Sequence, residues 1–106
     1  MNINLVGSTT EVDTDSELMD VFNNVMNFTN TRFNLENKLT LLTSTTELDT
    51  NAEMMDVFNN ICDAIRSLIP FDYRVDSTSE IDSSQEIVNV FNRIISTLQE
   101  LGNILV

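Results

Sequence analysis

The fold is decided by the stretch STTEVDTDSELMDVFNNVM, residues 8–26, because the chain carries it three times. It returns as STTELDTNAEMMDVFNNIC at residues 44–62 and as STSEIDSSQEIVNVFNRII at residues 77–95, displaced by 36 and then by a further 33 positions. The first two copies agree at 13 of 19 positions, too many for coincidence. Eight positions agree in all three: Ser8, Thr9, Glu11, Asp13, Glu17, Val21, Phe22 and Asn23 with their counterparts. Such a repeat is one supersecondary unit that buries its apolar face only against its neighbours. Residues 1–106 are therefore expected to form a single domain of three units, 3–30, 39–69 and 73–106.

Each copy contains a helix start. Thr14 with Glu17, Thr50 with Glu53 and Ser83 with Glu86 are capping boxes. In each, a hydroxyl accepts the backbone N–H three residues on and the glutamate reaches back to the N–H of the cap. After them, apolar residues fill one half of a helical wheel advancing about 100° per residue. In the first copy Leu18, Met19, Val21, Phe22, Val25, Met26 and Phe28 oppose Asp20, Asn23, Asn24, Asn27 and Asn30. The other two copies sort the same way, so three amphipathic helices are expected, with Phe22, Phe58 and Phe91 in equivalent core positions. Pro70 ends the second helix, and Ile104, Leu105 and Val106 are candidates to extend the apolar face of the third.

The segments before the copies read as strands. Ile3 and Leu5, Leu39 and Leu41, and Tyr73 and Val75 alternate with Asn4 and Val6, Thr40 and Leu42, and Arg74 and Asp76. Period-two alternation rich in β-branched residues marks half-buried strands. Right-handed crossovers would set them parallel. The expected fold class is thus α/β: three tandem β-α repeats, a short parallel three-stranded sheet, and amphipathic helices on one face. Parallel sheets are normally covered on both faces, so Val6 and Leu42 would need a second copy of the chain, and a homo-oligomer is expected.

Composition bounds the chemistry. The 106 residues include 17 Asp+Glu, 5 Lys+Arg and no histidine, a formal net charge of −12. Without histidine there is no imidazole base, no Ser–His or Cys–His pair and no imidazole metal ligand. A lone cysteine, Cys62, forms no intrachain disulfide and no cysteine zinc site; it sits on the apolar arc as a buried, inert thiol. No glycine-rich phosphate loop occurs. The opening MNINLVG has neither a basic region nor a long apolar run, so no signal peptide is expected and a cytoplasmic location is. No stretch has the ~20 apolar residues that span a bilayer. The negative charge repels nucleic acid and anionic membranes, which leaves a basic surface or a cation as partner.

In a parallel repeat, the strand-to-helix turns emerge at one edge, where open α/β folds bind ligands. Eleven acidic residues lie in those turns and first helical positions: Glu11, Asp13, Asp15, Glu17, Glu47, Asp49, Glu53, Asp76, Glu80, Asp82 and Glu86. Capping accounts for Glu17, Glu53 and Glu86, and Asp13, Asp49 and Asp82 complement the helix dipole. Glu11, Glu47 and Glu80 lie too far ahead of the helices to cap them, which singles them out as functional candidates. The candidate partner-binding set is Glu11, Asp13, Glu47, Asp49, Glu80 and Asp82. Asp13, Asp15 and Glu17 resemble the opening of a calcium loop, but the glycine at its sixth position is missing and its twelfth is Asn24, so neither metal nor cofactor is expected.

These readings point away from an enzyme. They describe a small acidic protein that binds a basic partner surface, plausibly a nucleic-acid-binding protein, as an inhibitor of the nucleic-acid-mimic type that phages and mobile elements use against host defence. The alternative is a self-assembling repeat with no external ligand.

Overall fold

The computed structural model describes residues 2–104; of the apolar run ending the chain, Leu105 and Val106 lie outside it. Three α-helices, α1 (Asp15–Arg32), α2 (Asn51–Arg66) and α3 (Ser84–Ile104), are each preceded by a four-residue 3₁₀ turn: Thr9–Val12, Thr45–Leu48 and Thr78–Ile81. The helices begin at the capping boxes. Thr14 Oγ1 accepts from Glu17 N at 3.1 Å while Glu17 Oε1 accepts from Thr14 N at 3.0 Å. Thr50 with Glu53 and Ser83 with Glu86 repeat the pair, satisfying orphan N–H groups of each first turn. Each 3₁₀ turn plants one apolar residue in the core: Val12, Leu48 and Ile81 are all buried.

There is no strand and no sheet among the described residues, which overturns the expected α/β class: the protein is all-helical. The segments read as strands are extended, but their backbone is satisfied by helix side chains instead of by one another. Leu42 N donates to Asn23 Oδ1 at 2.8 Å and Asn23 Nδ2 donates to Leu42 O at 2.9 Å. Asn59 grips Val75 by the same two bonds, 2.8 and 2.9 Å, and Asn92 grips Val6 at 2.7 and 2.9 Å. Seven residues further along each helix stands a second clamp. Asn30 holds Leu39 N and O, Arg66 donates to Phe71 O and Tyr73 O, and Gln99 donates to Ile3 O.

The registers match for a geometric reason. Seven helical residues rise about 10.5 Å at ~1.5 Å each, and three extended residues cover about 10 Å at ~3.3 Å each. Moving from Asn23 to Asn30 therefore moves the gripped residue back from Leu42 to Leu39, so each segment runs antiparallel to the helix that holds it. Along the first two segments burial recurs every third residue: Val6 and Leu42 are buried, Ile3 and Leu39 half-buried, and Leu5 and Leu41 exposed. The period-two reading placed these side chains wrongly. It also removes the surface on which a second copy was expected, since Val6 and Leu42 are covered within the chain.

Each return segment brings the chain back to the end at which its helix began, so α1, α2 and α3 all point the same way. The third clamp closes the ring: α3 grips the amino-terminal segment across 86 residues, as α1 and α2 grip the segments that follow them. The core shows the resulting pseudo-threefold symmetry. Phe22, Phe58 and Phe91 are fully buried and meet in a triangle with ring centroids 4.6, 4.7 and 4.7 Å apart. Tilted rings at that distance lie in the favourable range for aromatic pairs. No helix among the described residues is long and apolar enough to cross a membrane.

A candidate partner-binding rim of carboxylates

The symmetry gathers the three 3₁₀ turns and three helix starts at one end of the molecule. The sequence expected this gathering at a sheet edge; the clamped return segments produce it without a sheet. All six candidate residues stand at this end. Asp13, Asp49 and Asp82 are the residues that end the 3₁₀ turns, and all three are exposed. Asp82 Oδ1 accepts from Asn51 Nδ2 at 3.0 Å, which ties the third turn to the start of α2.

Glu11, Glu47 and Glu80 do have a local role, contrary to the expectation that singled them out. They cap the 3₁₀ turns. Glu11 Oε2 accepts from Gly7 N at 2.8 Å, and Glu80 Oε2 accepts from Asp76 N and Ser77 N at 2.9 and 2.8 Å. Glu47 Oε2 takes the N–H groups of Thr43 and Ser44, both at 2.9 Å, and the Thr43 hydroxyl at 3.2 Å. Those donors favour the ionised form, so the Thr43 and Ser44 amides hold the Glu47 carboxyl below its ordinary value. The signal was present: Ser8 to Glu11, Ser44 to Glu47 and Ser77 to Glu80 have the same spacing as the helix caps. Each unit therefore carries two caps in succession.

Three asparagines that sequence reasoning assigned to solvated helix faces prove to be structural: Asn23, Asn59 and Asn92 are the primary clamps. Their recurrence in all three units was the available clue, because a solvated amide has no reason to recur.

The electrostatics of the rim follow from its membership. Eleven of the 17 carboxylates lie there, and the remaining six acids nearly balance the five bases. Almost the whole net charge thus sits at one end. Arg32 and Arg66 stand at the far ends of α1 and α2, with Lys38 beside them at Asn30. Among the described residues, the one ion pair reaching the rim is Arg74 with Asp76 at 3.9 Å; the other two join Asp63 to Arg66 and Arg74. The carboxylates share an end without converging, since no group of three among the described residues could hold a metal ion. What the arrangement offers is a broad negative field that attracts cations at a distance of about one Debye length, ~8–10 Å in physiological salt.

Comparison with protein-family models, curated proteins and solved structures finds no match for this chain.

Proposed function

We propose that this chain is a non-enzymatic binding protein whose acidic end engages a basic surface on a partner protein, occupying a site that nucleic acid would otherwise fill. The observation that carries the reading is the segregation of charge: eleven carboxylates lie at one end, where among the described residues one of them, Asp76, has a paired cation, Arg74. Capping accounts for the glutamates in the turns and the helix dipole for the aspartates at their ends, but neither requires that all three turns collect at one end. Such a field speeds encounter with a basic surface and repels nucleic acid. The catalytic inventory supports the same reading, as the only thiol, Cys62, is buried and burial pushes it up to about 11. Action in the cytoplasm, as an anti-defence inhibitor carried by a phage or mobile element, is the setting this mode suits best.

The test is affinity capture from the native host at low salt, with duplex DNA as competitor. A basic nucleic-acid-binding protein should be retained and then released by DNA. The variant E11Q/D13N/E47Q/D49N/E80Q/D82N should capture none, since glutamine and asparagine keep oxygens for the caps while removing charge. Capture that survives both DNA and neutralisation would defeat the proposal.

A further inference from the structure

A threefold molecule has three grooves, one between each return segment and the helix that follows it, and here they differ. Along residues 2–6 and α1, equivalent positions hold Asn4, Asn24 and the buried Phe28. Along residues 72–75 and α3 they hold Tyr73, Arg93 and Thr97, with the Arg93 guanidinium 4.6 Å over the Tyr73 ring. Along residues 33–42 and α2 they hold Thr40, Asn60 and Ala64. No aromatic ring stands at those three positions in this last one, which remains an open groove of about 890 Å³, against about 530 Å³ beside Asn4 and Phe28. Its connection is also longer, with 19 residues from Asn23 to Leu42 against 16 from Asn59 to Val75. Asn34 and Glu36, from the longer connection, line it.

The lining has two chemistries. Phe33, Leu39, Ala64 and Leu68 are half-buried and form an apolar floor. Glu36, Glu47, Glu53, Asp56 and Asp63 also line it, Asp63 being already paired with Arg66 and Arg74. The one basic residue there, Lys38, already donates to the carbonyls of Asn30 and Leu35 at 3.1 and 3.2 Å. The groove follows α2 from Glu53 to its end at Arg66, about 20 Å at the helical rise, and reaches Leu68 in the turn beyond, which matches six or seven residues of extended chain.

We infer that this groove receives an extended basic segment of a partner protein, in which lysine or arginine alternates with apolar residues. The cations reach Glu36 and Asp56, whose side chains have no hydrogen bond or ion pair among the described residues. The apolar side chains, on the opposite face of the same segment, cover Leu39, Ala64 and Leu68. The inference rests on the basic-partner reading of the acidic end, which the groove meets at Glu47 and Glu53.

The probe is a fluorescein-labelled heptapeptide of alternating lysine and leucine, titrated into the full chain at low salt, with amide shifts mapped in parallel. Binding is expected to move Val57, Asn60 and Ala64. Ala64→Phe places in α2 the ring that α1 carries as Phe28 and changes no charge; it should weaken binding about tenfold, the loss of one buried apolar contact. Thr40→Tyr, at an exposed position, gives the same reading should A64F fail to fold. The rim variant E11Q/D13N/E80Q/D82N, which leaves the groove lining in place but weakens the field, should lose less affinity than A64F. Equal binding by wild type, A64F and T40Y, or spermine binding as tightly as the peptide, overturns the inference while leaving the rim reading standing. Loss of binding in the rim variant alone does the same.

Discussion

Replacing Asn59 by alanine tests the clamp that sets this fold apart from a sheet. Asn59 is buried, and it supplies both partners of Val75, itself 1% exposed. Alanine leaves a buried N–H and a buried C=O unpaired, each costing about 1–3 kcal/mol, or about 2–6 kcal/mol together. Alanine's better helix propensity returns about 0.5 kcal/mol. The expected net loss is about 1.5–5.5 kcal/mol, a large part of the ~5–15 kcal/mol that holds a small domain folded. Urea unfolding followed by circular dichroism measures it, and hydrogen exchange at the Val75 amide reports the same event locally. Asn60→Ala is the internal control: Asn60 neighbours Asn59 on α2 but is exposed, so its replacement should be neutral or slightly stabilising. If N59A costs no more than N60A, and the Val75 amide stays protected, the extended segments are not held as described.

Other predictions come from the core, the caps and the thiol. Phe58→Ala removes one ring of the central triangle and should cost about 3–5 kcal/mol, read as a lowered urea midpoint. Glu47 has its carboxyl lowered from 4.5 in the folded chain, so its contribution is full above the unfolded value and is lost as pH falls through the folded one. Stability measured from about pH 6 to about pH 3 should therefore fall more steeply for wild type than for E47Q, by a small margin because the group is exposed. Cys62, buried and shifted to about 11, should resist a thiol reagent at neutral pH and react once urea is added. Sedimentation should find a monomer, because Val6 and Leu42, which a second copy was expected to cover, are buried within the chain; a defined oligomer would favour the self-assembly alternative.

Much of the architecture was legible in the sequence because it depends on patterns of short range. The Thr14, Thr50 and Ser83 boxes mark where α1, α2 and α3 begin, and the repeated phenylalanines mark the axis on which they meet. That the extended segments form no sheet was not legible, because four extended residues have too few positions to separate period two from period three. What decides is where their backbone groups bond, and that answer lay seven residues apart on the helices, in Asn23 and Asn30 and their counterparts. The acidic end was reasoned from a parallel sheet that the described residues do not form; the turns share an end because the return segments, gripped by Asn23, Asn59 and Asn92, bring the chain back to it. The role of Glu11, Glu47 and Glu80 was written only in their spacing from Ser8, Ser44 and Ser77, because a four-residue 3₁₀ turn adds no periodicity to mark the cap. The groove along α2 was invisible for another reason: it is defined by what Thr40, Asn60 and Ala64 fail to fill.

The most direct test of the account is the salt dependence of affinity for the partner that host capture identifies, measured with wild type and with E11Q/D13N/E47Q/D49N/E80Q/D82N. If the acidic end carries recognition, wild-type affinity should fall steeply with ionic strength as screening shortens the reach of its field, and the neutralised variant should bind weakly with a shallow dependence. Equal affinities and equal slopes for the two proteins would contradict the claim that this end is where the molecule acts.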